Sequence, residues 1–157
     1  MNKITITIDN QEVIVTYTPL FRHLIEVEFI KPYSGLKVEC GTDRENCNLF
    51  DPSQAETFVV AFVKMLIKQI QNVIKYRKVY QNVCDDYKRI TDIMWAVLKS
   101  MVGMSSREKF RYHCELQTKV QEEIFSRLRT LIPDINEYNQ EEFLMPIYTL
   151  TKILSAI

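Results

Sequence analysis

The chain is poor in the residues that build catalytic and cofactor loops. Its 157 residues include three glycines, two histidines and one tryptophan. Gly35, Gly41 and Gly103 lie too far apart to assemble a standard phosphate-cradling loop. Cysteine is sparse and irregular. Cys40, Cys47, Cys84 and Cys114 match neither a zinc-knuckle spacing nor a redox CxxC pair. Formal net charge is zero, so no global field draws the protein to nucleic acid or to a membrane surface. Long apolar runs are missing too. The most apolar window, Phe58 to Ile67, is interrupted by Lys64 and is too short to span a bilayer. Residues 4–8 alternate Ile with Thr, where a signal peptide would be continuously apolar. The expectation is a reducing, cytoplasmic setting without membrane attachment, in which the thiols are free and packed as small hydrophobes.

Chemistry-bearing clusters are equally thin. His113 and Cys114 are adjacent, and neighbouring residues on a helix point about 100° apart, so they do not readily chelate one ion together. Asp85 and Asp86 read as cap or solvated residues of a helix. No nucleophile elbow or oxyanion loop accompanies any thiol or hydroxyl. The sequence therefore predicts no catalytic residue, no cofactor and no metal.

What is present is architecture, and it centres on Ser53 to Val102. This stretch has no proline and no glycine. Apolar or aromatic residues recur there at alternating steps of three and four: Ala55, Val59, Phe62, Leu66, then Val73, Tyr76, Tyr80, Val83, Tyr87, Ile90, Met94, Val97 and Met101. Gln69 is the only polar member. Such a heptad-type seam is the pattern of a long helix packed against another helix. A continuous helix over 53–102 would span about 75 Å. A compact monomer of this length has a radius of gyration of about 15 Å. Either the helix breaks, with Asn82, Asp85 and Asp86 as the local candidates, or an elongated half needs a partner. The unbroken seam favours continuity.

Before it, four short strands alternate apolar with polar residues. Ile4, Ile6 and Ile8 form the first, and Val13, Val15 and Tyr17 the second, which Pro19 is expected to end. Leu20 to His23 is ambiguous and has the length of one helical turn. Ile25, Val27 and Phe29 form the third strand, and Leu36, Val38 and Cys40 the fourth. Asp9 and Asn10 tolerate the left-handed backbone that a tight hairpin needs. A four-stranded antiparallel meander with one apolar face follows, covered by the start of the long helix. Residues 1–41 form this sheet part, 42–52 a linker, and 53–157 a helical part.

Within the helical part, Ser53 with Glu56 and Ser105 with Glu108 are spaced as capping boxes, and Gly103 is placed for a left-handed cap. The helices are expected at about 53–102, 105–132 and 137–156. Pro133 stops the second, and Pro146 should kink or delay the third. The whole is one α+β domain: an N-terminal four-stranded meander followed by a helical bundle built on one long helix.

Function is expected through contact rather than chemistry. The seam residues Gln69, Tyr76, Tyr80, Val83 and Tyr87 are the candidates for binding another protein or a second copy, in a non-enzymatic adaptor or assembly role. Polar-tipped tyrosines are common at wet interfaces, and Gln69 suits a register-setting position. The alternative is a single-stranded nucleic-acid binder using Lys75, Tyr76, Arg77, Lys78 and Tyr80, which interleave cations with rings. The charge distribution points the same way. Residues 53–102 carry eight Lys/Arg against four Asp/Glu, whereas residues 1–52 carry five against eight. The second alternative is a small enzyme, which would require Cys47, Cys114 and a histidine to share a cleft.

Overall fold

The computed structural model describes residues 2–157. Four strands come first: β1 (Asn2–Ile8), β2 (Gln11–Phe21), β3 (Leu24–Lys31) and β4 (Lys37–Gly41). They form one antiparallel sheet in sequence order. Five helices follow: α1 (Pro52–Lys75), α2 (Arg77–Ser100), α3 (Ser106–Leu131), α4 (Gln140–Phe143) and α5 (Ile147–Ala156). The fold is α+β, as the order of patterns predicts.

The period of two fixes the sheet's buried face. Ile6, Val13, Val15, Tyr17, Ile25, Val27, Phe29 and Val38 are all buried. They meet across strands, with Ile6 opposite Val13, Val15 opposite Phe29, and Val27 opposite both Tyr17 and Val38. Asp9 and Asn10 turn β1 into β2 with φ of 50° and 64°. Two left-handed residues in a two-residue loop give the hairpin geometry whose twist matches that of the strands. One expectation fails here. β2 does not stop at Pro19 but runs on to Phe21, so residues 20–23 hold strand and turn rather than a helical turn. The register shifts between Pro19 and Phe21, an irregularity of the kind at which a residue without an N–H fits a ladder.

α1 lies on the buried face. Its Ala55, Val59, Val63, Leu66, Ile67, Ile70 and Val73 share one core with the inward residues of the strands. By length and composition α1 is the one helix among the described residues that could cross a membrane; in this fold those seven residues are in the core. The helix begins earlier than the Ser53–Glu56 spacing suggests. Asp51 is the cap, accepting from the Ser53 amide at 3.0 Å and the Ser53 hydroxyl at 2.8 Å. Pro52 takes the first helical position, where a missing N–H costs nothing.

The long helix is two helices. Tyr76 leaves helical geometry (φ −114°, ψ 34°) and separates α1 from α2. Neither the continuous helix nor a break at Asn82–Asp86 is found, and those residues stay helical. The backbone bonds from Tyr76 to Asn72 (3.0 Å) and from Tyr80 to Tyr76 (3.1 Å) persist, so α2 follows α1 without a loop. No glycine or proline marks the spot. Tyr76 is instead held from outside, its hydroxyl donating to Asp134 and its ring tilted against Phe143. A tertiary contact sets the break here, where the usual local causes of a kink are missing.

α3 returns antiparallel along α2. Asp86 pairs with Arg127 at 3.2 Å, the Trp95 and His113 rings lie 4.4 Å apart, and the Lys109 ammonium donates to the Lys99 carbonyl at 3.2 Å. Ser105 caps α3 as its spacing implies, accepting from the Glu108 amide. α2 itself ends on extended Met101, and Gly103 takes its left-handed φ of 86° two residues later, inside the connection. The expected terminal helix is split into α4 and α5, since the residue before Pro146 is pushed out of helical geometry.

The hairpin offers a direct check. Asn10→Gly should keep or raise stability, because glycine adopts this φ freely. Asn10→Val should lower it by about 1–2 kcal/mol. Urea denaturation of the two variants measures the difference, and equal midpoints would contradict the turn.

Candidate protein-contact surface

The five seam candidates are all engaged by the chain itself. Gln69 donates its side-chain amide to the Glu141 carbonyl at 2.9 Å, and Asn72 does the same to Glu142. Gln69 thus docks α4 rather than setting register with a second helix along the seam. Tyr80 is fully buried and donates to the Phe143 carbonyl at 2.7 Å. Val83 and Tyr87 are buried in the same core. A partner reaching for Tyr80, Val83 or Tyr87 would have to displace the chain's own residues.

The basic–aromatic segment is spent similarly. Lys75 meets Asp134 at 3.0 Å, and Arg77 donates to the Ile157 carbonyl at 3.2 Å. Lys78 makes no ion pair among the described residues. Tyr80 is inside, and the half-buried Tyr76 ring has the Lys75 ammonium over it and Phe143 tilted against it. The Tyr76 hydroxyl and then the Lys75 ammonium hold the Asp134 carboxyl below the usual carboxylate range. The hydrogen bond to Asp134 raises both Lys75 and Tyr76 in return. Burial, then proximity to Tyr76, pushes the Tyr80 phenol well above its ordinary value.

Cys47 and Cys114 lie on different parts of the fold, one in the loop before α1 and the other on α3. Cys40 and Cys47 line one cavity, whose walls include neither Cys114 nor a histidine. Burial raises Cys40 to about 12, which keeps it a neutral thiol. Cys84 lies 3.5 Å from the Thr151 hydroxyl, and Cys114 is exposed. Among the described residues, no three His, Cys, Asp or Glu side chains are grouped to share a metal ion.

The unpartnered surface lies further along, on the distal arm formed by residues 88–119. On α2, Ile90, Ile93 and Val97 are exposed at steps of three and four, hence on one face, and Met101, the extended residue that ends the helix, is exposed as well. Ile93 is 59 % exposed and Val97 53 %. On α3 and the connection, Phe110, Tyr112 and Val102 are exposed as well. The arm carries seven Lys/Arg against three Asp/Glu, and the remainder of the chain thirteen against seventeen. Among the described residues, Arg89 alone of those seven cations forms an ion pair, with Asp86 at 3.2 Å. The seam read from the sequence had absorbed Ile90, Val97 and Met101 together with Tyr87 and Met94. The fold separates them: Tyr87 is buried and Met94 packs on the core, while the other three face out. Spacing shows that the apolar band is wide; only the fold shows which edge of it is covered.

Two outcomes check this internal engagement. Tyr80→Phe leaves the buried Phe143 carbonyl without its donor and should cost about 1–3 kcal/mol in chemical denaturation. Asp134, its carboxyl depressed in the folded state, contributes stability above its unfolded pKa of about 3.9 and loses it as pH falls through the lower folded value. Asp134→Asn should therefore melt lower than the parent at pH 7, and the gap should close on acidification below about pH 4. A gap independent of pH would show that the carboxylate is not the stabilising form.

No protein-family model, no curated protein and no solved structure matches this chain.

Proposed function

We propose that the chain is a non-enzymatic protein-contact module, and that its α2–α3 arm receives an acidic amphipathic helix from another protein. The observation that carries this is the pairing of an exposed apolar stripe with uncompensated cations on one arm. An apolar helix face is a standard occupant for such a stripe, recognised through residues spaced three and four apart. Flanking Glu and Asp on that helix would meet Lys88, Arg107, Arg111 and Lys119, none of which is ion-paired among the described residues. A second copy is a poorer fit. Two arms, each four charges positive, repel across the contact that their apolar stripes would have to make. The reading places the protein in the reducing cytoplasm, where four free thiols persist.

The test uses two labelled 18-residue helical peptides with the same apolar face, one flanked by Glu and one by Lys. The Glu peptide should bind the full chain, about tenfold or more tighter than the Lys peptide, and should weaken as salt is raised. Ile93→Glu with Val97→Glu should abolish binding and leave the melting temperature nearly unchanged, because both side chains are already largely in water. Equal binding of the two peptides, or binding of neither, overturns the proposal. So does preferential capture of a labelled single-stranded oligonucleotide, or a stable dimer in sedimentation that the double variant dissolves.

A further inference from the structure

A cavity of about 880 Å³ opens between the end of β4, the loop at residues 41–51 and the first turns of α1. Its size falls within the range of small-molecule sites. Phe58, Ala61 and Phe62 supply an apolar wall from α1, and Cys40 and Cys47 stand among the other lining residues. Among the described residues no Asp or Glu lines it, and Arg44 is the one charged residue of the lining.

The polar groups of the lining are unequally spent. Gln54 accepts from the Asn48 amide at 2.9 Å. Thr57 donates to the Ser53 carbonyl at 3.0 Å, and Ser53 donates to Asp51 at 2.8 Å. These three serve the loop and the helix end. The Asp51 carboxylate already caps α1, so that helix end is not free to take an anion. Arg44 is different. Its backbone amide bonds to the Thr42 hydroxyl, but its guanidinium makes no hydrogen bond or ion pair among the described residues. The Asn46 amide, on the same loop, is also unused there. One planar cation with a neighbouring amide donor is the recognition set for a single carboxylate. A phosphate-rich ligand would call for more cations than one. A cationic ligand would find no counter-charge among the lining residues.

We propose that this cavity binds a straight-chain aliphatic monocarboxylate, its head on Arg44 and Asn46 and its tail against Phe58, Ala61 and Phe62. The neutral Cys40 thiol adds to the uncharged wall. The site uses none of the arm residues and stands independently of the protein-contact reading.

Isothermal titration of the full chain with hexanoate, octanoate, decanoate and dodecanoate, each below its micelle concentration, tests it. Affinity should rise about fourfold per added methylene until the tail outgrows the cavity. Each carboxylate should bind about tenfold tighter than its matching alcohol. Arg44→Gln should remove that advantage and leave alcohol binding unchanged. Ala61→Trp, at an exposed cavity position, should abolish both, and Ala61→Phe serves if the larger ring lowers the melting temperature. Equal binding of alkyltrimethylammonium ions, no dependence on chain length, or an undiminished carboxylate preference in Arg44→Gln would each overturn the assignment.

Discussion

Everything in this fold follows from the need to cover one apolar sheet face. Four strands place their alternate residues on a single side, and a sheet of this kind cannot stand with that side in water. α1 answers the need and is committed by it. Its Val59, Val63, Leu66 and Ile70 join the strands' core, and its Gln69 and Asn72 dock the backbone of residues 141 and 142. A helix used in this way has no free length for α3 to pair with. α2 begins after the break at Tyr76, and α3 pairs with α2.

The break explains why the seam is satisfied in its first half and open in its second. α2 has 24 residues, about 36 Å of helix, whereas α5 has ten, about 15 Å. α5 is anchored to the near end of α2 through Arg77 and Ile157 and through Cys84 and Thr151, and to β4 through Lys152 and the Lys37 carbonyl. Beyond Tyr87 only α3 is available. A two-helix pair covers one edge of each helix, so Ile90, Ile93 and Val97 are left to solvent. The exposed stripe results from the lengths of the elements, and charged side chains on the same arm interrupt its apolar surface.

The sheet was legible in the sequence because the period of two is local. Each of Val13, Val15, Tyr17, Ile25, Val27 and Phe29 is assigned to the buried face by its immediate neighbours, and each is buried. Helix starts and stops at Ser105, Pro133 and Pro146 were legible for the same reason. The break at Tyr76 was not. A tyrosine on an apolar stripe carries no local sign of a bend, and the residue that holds it, Asp134, lies 58 positions away. Asn82, Asp85 and Asp86 are weaker helix formers, yet propensity costs only tenths of a kcal/mol per residue and packing overrides it. β2 continued through Pro19 because an irregular register absorbed the missing donor, which also depends on the partner strand.

The same distinction separates the two candidate surfaces from the residues that first suggested function. A chemically conspicuous cluster such as Lys75, Tyr76, Arg77 and Tyr80 is conspicuous because it is rich in bonding groups, and a folding chain has its own uses for those groups. Here they bind Asp134, Phe143 and Ile157. The groups left over are less eye-catching: an arginine in a polar loop, and an isoleucine one step off a helix seam. Arg44 and Ile93 stand out only when their neighbours' hydrogen bonds and contacts have been counted. In this chain the bonding capacity that the fold leaves unspent lies at the Arg44 loop and along the exposed edge of α2.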